Sequence, residues 1–220
     1  MRLRSLKQLI DIVKAMAQPK QITVLGSSSL LAGSPELGEK GRPLELSLDA
    51  DMLVEPCDSG QAGVLHEAIG EGSLFHQEYG VYADFMKPDI LETLPKGWEK
   101  RCIFLGRDRS VRCLNPIDLA IVKLKLGRDK DVDLLKALIK AGVITIPALR
   151  KAYQATEMSE RERLKAGRLL RTLETESEAC YRAAPDTPPA VGESRPKYGR
   201  SKSGSAARKK PHAKTRRTRR

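Results

Sequence analysis

The stretch from Ile22 to Pro56 constrains the fold more than any other part of this chain. Ile22 to Leu25 is a short apolar, β-branched run that stops at Gly26, as a buried strand does. Gly26-Ser27-Ser28-Ser29 then opens a turn into Leu30 and Leu31, with hydroxyls where a helix start wants them. From Leu46 the pattern alternates, with Leu46, Leu48, Ala50, Met52 and Val54 on one face of a second strand and Ser47, Asp49 and Asp51 on the other. Two carboxylates on one strand face sit about 7 Å apart and repel, and Asp is depleted in strands. A divalent cation is the strongest candidate to offset that repulsion.

Facing each other, these segments form two halves of a phosphoryl-transfer site. The turn offers backbone N–H groups and hydroxyls to phosphate, and the Asp pair holds Mg²⁺. At these residues the chain resembles the nucleotidyltransferase superfamily, with its polymerase-β-like fold. More closely, it resembles nucleotidyltransferase-like proteins related to the toxins of type IV abortive-infection systems. The resemblance covers roughly residues 3 to 155. It implies that Gly26, Ser27 and Ser28 bind a nucleoside triphosphate and that Asp49 and Asp51 hold Mg²⁺. It also implies a third carboxylate on a neighbouring strand, for which Asp84 is the candidate. The segment Lys-Leu-Lys-Leu-Gly-Arg-Asp-Lys-Asp-Val-Asp looks like a Lys…Arg-x-Lys-Asp element of the toxin-like families. Lys123, Arg128 and Lys130 would there reach a triphosphate or an RNA phosphate, with Asp131 and Asp133 orienting them. One departure is the long insertion between Ser27 and Asp49. Fold and turnover are separate claims. The alternative is a catalytically inactive member of the fold that binds nucleic acid or a cognate toxin or antitoxin protein.

Charge divides the chain unevenly. Residues 183–220 hold 12 of the 40 Lys and Arg but only Asp186 and Glu193 of the acids, so the preceding body is nearly neutral within a net charge of +12. This stretch is Pro-, Ser-, Gly- and Arg-rich with little to bury, and reads as a disordered basic tail. Its Arg208, Lys209, Lys210, Arg216, Arg217, Arg219 and Arg220 suit the phosphate backbone of RNA or DNA through counterion release. Cys57, Cys102, Cys113 and Cys180 are scattered, without zinc spacing or a disulfide framework, and read as reduced thiols in a cytoplasmic protein. No apolar run approaches the roughly 20 residues of a membrane helix, and a secretory signal is disfavoured.

The expected class is α+β: a small mixed sheet with helices over 1–114, a helical half over 115–182 and the tail over 183–220. Leu3, Leu6, Ile10, Val13 and Ala17 mark an opening helix that ends before Pro19. Gly33 to Pro43 reads as an exposed loop, Gln61 to Ile69 as a helix and Glu78 to Phe85 as a strand. A hairpin follows around Gly106–Arg109. Asn115-Pro116-Ile117-Asp118 announces a helix to about Leu126, and Asp129 to Lys140 forms the next, closed by Gly142. Helices over Ile146–Ala155 and Ser159 to about Arg182 complete the body. His66 and His76 read as isolated hydrogen-bonding residues, and Trp98 as packing beside the hairpin.

Overall fold

The computed structural model describes residues 1–183. It is an α+β protein built on one five-stranded mixed sheet. The contacts expected of the basic segment, Arg208 to Arg220, lie outside the described residues.

Helix α1 (Leu3–Ala17) buries Leu6, Leu9, Ile10 and Val13. It ends on Gln18 in a left-handed conformation, just before Pro19. Strands β1 (Gln21–Val24) and β2 (Asp49–Glu55) pair antiparallel, Ile22 opposite Val54 and Val24 opposite Met52. The turn between them is a 3₁₀ helix, Ser27–Ala32, rather than an α-helix, and it buries Ser28, Ser29, Leu30 and Leu31. A second 3₁₀ turn, Pro35–Gly38, lies in the stretch read as exposed loop, and it buries Leu37. The alternation predicted from Leu46 begins later: β2 starts at Asp49, while Leu46 is 86% and Leu48 47% exposed. The reason is that Leu44, donating its N–H to the Leu37 carbonyl, fills the core in their place.

Helix α2 (Ser59–Ile69) is capped by the Asp58 carboxylate, which accepts from the Gln61 N–H. The next segment corrects another expectation. Glu78 and Tyr79 end a helix, α3 (Leu74–Tyr79), capped by the Ser73 hydroxyl and closed by Gly80 at φ +68°. Only Tyr82–Phe85 forms strand β3. It pairs parallel with β2 and places Asp49 opposite Tyr82 and Asp51 opposite Asp84. The hairpin forms as β4 (Ile103–Phe104) and β5 (Val111–Cys113), and β5 lies parallel to β1. The strand order is therefore β3-β2-β1-β5-β4. Trp98 is buried, with the Arg112 guanidinium over its ring.

Period-two alternation gives the sheet two unlike faces. Ile22, Val24, Ala50, Met52, Val54, Ala83, Val111 and Cys113 form a fully apolar one in the main core. The other carries Thr23, Asp49, Asp51, Tyr82, Asp84 and Arg112.

Four helices follow: α4 (Pro116–Leu126), α5 (Asp129–Lys140), α6 (Ile146–Ala155) and α7 (Glu160–Ala183). Their boundaries follow local chemistry. Asn115 caps α4 through the Ile117 N–H, and Gly127 closes it at φ +53°. Thr145 caps α6, and Ser159 with Glu162 forms a reciprocal capping box at α7. Leu119, Ile121, Leu124, Leu135, Leu138, Leu149, Leu170 and Leu173 join the buried cluster that includes the sheet. None of the described helices is long and apolar enough to cross a membrane.

Candidate active site

The polar end of β2 and β3 opens into a cleft of about 470 Å³ lined by Ser27, Pro43, Leu44, Leu46, Ser47, Asp49, Asp51, Asp84, Lys123, Arg128, Lys130, Asp131 and Leu134. One wall is acidic and strand-borne. The other is basic and carried by α4 and the first turn of α5.

On the acidic wall, the β2–β3 register sets Asp84 directly across from Asp51, and Asp49 is two residues along the same face. Leu25, just past β1, donates its N–H to the Asp51 carbonyl at 2.9 Å, which draws the Gly-Ser turn against this carboxylate. Gly26 is required here by space rather than by its backbone angles: a Cβ would lie 1.6 Å from Asp51 Oδ2. Burial, then the charges of Asp49 and Asp84, push the Asp51 carboxyl up to about 6, against the opposing pull of Lys123 and Lys130. Ser47 Oγ donates to Asp49 Oδ1 at 3.4 Å. Tyr82, opposite Asp49, packs against the His76 ring in a tilted arrangement, centroids 4.7 Å apart and planes at 53°. Burial and the acids Glu71, Asp49, Asp84 and Asp51 raise its phenol.

The basic wall is arranged differently. Asp131 has a side chain only 1% exposed, and it binds Lys123 Nζ at 3.0 Å and Arg128 Nε at 2.7 Å. Arg128 Nη2 adds a second bond at 3.1 Å, giving the fork that a guanidinium makes on a carboxylate. Burial alone would raise Asp131, but Arg128 and Lys123 outweigh it and hold the carboxyl below its ordinary range. Asp133 is exposed and does not line the cleft. Lys130 is exposed and, among the described residues, has no carboxylate partner.

The Gly-Ser turn divides its roles. Ser27 lines the cleft. Ser28 does not, and its buried hydroxyl, like that of Ser29, has no hydrogen-bond partner among the described residues. The first backbone bond of the turn runs from the Ser29 N–H to the Gly26 carbonyl, so the Ser27 and Ser28 amides precede it, as orphan donors at a helix start do.

Of the residues singled out from sequence, Ser27, Asp49, Asp51, Asp84, Lys123, Arg128, Lys130 and Asp131 thus meet in one cleft. Pro43, Leu44, Leu46, Ser47 and Leu134 complete the wall. The alternating pattern places Leu46 and Ser47 on opposite faces of a strand, but both precede β2 and both line the cleft.

Among the described residues no group of three or more His, Cys, Asp or Glu side chains stands ready to hold a metal by itself. Mg²⁺ is typically bound through one or two carboxylates together with substrate phosphates and waters, and the Asp49–Asp51 pair with its uncompensated charge fits that donor set.

The acidic strand face, the Gly-Ser turn against it and the cations opposite thus stand around one cleft. A family model described as nucleotidyltransferase of unknown function (DUF6036) matches residues 1–178, and the chain belongs to that family. No curated protein and no solved structure matches the chain significantly.

Proposed function

We propose that this protein transfers a nucleoside monophosphate from a nucleoside triphosphate to a hydroxyl on RNA or protein, with Mg²⁺. The carrying observation is the register that puts Asp84 opposite Asp51 on one wall, with Lys123, Arg128 and Lys130 across the cleft.

The triphosphate lies between the walls. Amides of Gly26 to Ser28 and the Ser27 hydroxyl donate to phosphate oxygens, and Lys130 with Arg128 meets the remaining charge. Asp49 and Asp51 would hold Mg²⁺. When bound, the ion neutralises phosphate charge and sharpens the electrophile. The acceptor oxygen forms a bond to the α-phosphorus as the bond to the β-phosphate oxygen breaks. Pyrophosphate leaves, and Asp84 takes the acceptor proton. Asp131 never touches substrate in this scheme; it positions Lys123 and Arg128.

The resemblance to abortive-infection toxins extends this reading. Modification would disable the acceptor, and a partner protein made with the toxin would restrain it, within the cytoplasm. The test is incubation with α-labelled nucleotides, Mg²⁺ and bulk RNA, wild type against Asp49→Ala. Label should enter the acceptor with wild type and fall at least about 100-fold in the variant. Undiminished incorporation by Asp49→Ala would rule this cleft out as the catalyst.

A further inference from the structure

Outside the cleft, helix α7 carries a second concentration of charge. Its inward stripe is Ala166, Leu170 and Leu173, all buried. On the opposite face Arg161, Leu164, Lys165, Arg168 and Thr172 line a shallow groove of about 440 Å³. Helical spacing puts these five on one side, within about a third of a turn of one another.

Three of the five acids of α7 are used elsewhere: Glu162 binds Lys125 at 3.0 Å, Glu174 binds Arg150 at 2.8 Å and Glu176 binds Lys136 at 2.9 Å, while Glu160 and Glu178 make no ion pair among the described residues. Arg161, Lys165 and Arg168 have no carboxylate partner among the described residues. Three like charges over about 10 Å of helix repel one another at a modest cost, which an anionic ligand would offset.

This stripe adjoins the cleft rim. Lys165 Nζ donates to the Leu126 carbonyl at the end of α4. Its Cε lies 2.9 Å from where a Cβ on Gly127 would sit. The next residue is Arg128, half-exposed, followed two positions on by the exposed Lys130. Arg161, Lys165, Arg168, Arg128 and Lys130 therefore flank one strip of surface that ends at the phosphate side of the cleft. Leu164, 58% exposed, and Leu126, 43% exposed, give it an apolar floor.

We infer that the outer face of α7 is a track for the phosphodiester backbone of a polynucleotide acceptor, guiding it over the α4–α5 turn into the cleft. The inference rests on the transferase reading and narrows its acceptor to nucleic acid. A repeating anion with sugars between its charges matches cations spaced about one helical turn apart with exposed leucines among them. None of these side chains is a planar aromatic, so the track reads backbone rather than sequence.

The test uses the full chain and a labelled mixed-sequence 20-nucleotide RNA, titrated at several salt concentrations without nucleoside triphosphate, so no transfer occurs. Arg161→Glu with Arg168→Glu should weaken binding at least about 10-fold and flatten the salt dependence by about two ions. Lys165 is left in place because it holds the Leu126 carbonyl. A matched reversal on α1, Arg4→Glu with Lys7→Glu, should weaken binding less than about threefold. Arg161→Gln with Arg168→Gln, checked for an unchanged melting temperature, guards against a folding defect and should lose affinity in the same direction. Three results would overturn the track: wild-type affinity and salt slope in the α7 variants, equal losses in the α1 control, or a loss seen only toward vesicles of anionic phospholipid. Since no chemistry is read, a failed track leaves the Asp49→Ala transfer result intact, and a failed transfer leaves the binding result intact.

Discussion

The two walls of the cleft hold similar numbers of charges in opposite states. On α4 and at the start of α5, Lys123 and Arg128 are already paired with the buried Asp131, one carboxylate between two cations. On the sheet, Asp49, Asp51 and Asp84 face one another with no cation within salt-bridge reach among the described residues, and burial together with their repulsion lifts Asp51 to about 6. The pairing around Asp131 is complete before any ligand arrives, so it is part of the fold. The acidic wall carries an unbalanced cost, which only something brought from outside can remove. Pairing fixes position, and leaves the half-exposed Arg128 free to meet phosphate as well; the unpaired acids wait for a cation.

If that contrast is right, breaking the pair on the basic wall should damage the fold first. Asp131→Ala leaves Lys123, whose side chain is 12% exposed, without its partner. Removing one member of a buried ion pair typically costs about 3 kcal/mol, because the remaining charge stays desolvated. Chemical denaturation should show a loss of that order, with transfer activity falling as Lys123 and Arg128 lose their fixed placement. Unchanged stability would mean that Asp131 is not the organising group of this wall.

The acidic wall should respond to pH in the opposite sense. Asp51 ionises near 3.8 when unfolded and near 6 when folded, so its contribution is fully present below about 4 and is lost as pH rises through about 6. The loss is on the order of 3 kcal/mol, and Mg²⁺ with nucleotide should recover part of it above pH 6. Melting temperatures of wild type and Asp51→Asn should therefore diverge between pH 4 and pH 6, the variant being the more stable at neutral pH. Asp108 and Glu162, both held down to about 2 by hydrogen bonds and lysine partners, lose their contributions progressively as pH falls below about 5 toward that value, but both are present in wild type and variant and cancel in the difference. Parallel curves for wild type and variant would show that Asp51 carries no such strain.

Much of this was legible in the sequence because its signals are local. The apolar run ending at Gly26, the Asp-x-Asp alternation, the Asn115-Pro116 start and the Gly127 and Gly142 stops each depend on a few adjacent residues, and each appears in the structure. What escaped was set by distant partners. Leu46 and Leu48 continue the alternation on paper, but Leu44 takes the core and leaves them exposed. Glu78 and Tyr79 looked like the start of a strand, yet Ser73 and Gly80 cap a short helix there. The match of Asp84 to Asp51 depends on strand register, which no window of sequence contains. The pairing of Lys123 with Asp131 needs α4 and α5 to fold back on each other.

Lys130 supplies the finest division between the walls, because it belongs to the basic side by position and to the binding side by state. It is exposed and lacks a carboxylate partner among the described residues, so removing its charge should leave the fold alone. Lys130→Met is expected to change stability by less than about 0.5 kcal/mol, as surface substitutions usually do. Yet a lysine free to meet a polyphosphate contributes a charge-assisted contact, so nucleotide affinity should drop about tenfold. Calorimetric titration with a non-hydrolysable nucleotide and Mg²⁺, beside a denaturation curve, separates the two quantities. A variant that loses stability but keeps its affinity would reverse the assignment, placing Lys130 with the structural cations and leaving Ser27, Arg128 and the Gly26 turn to carry the phosphates alone.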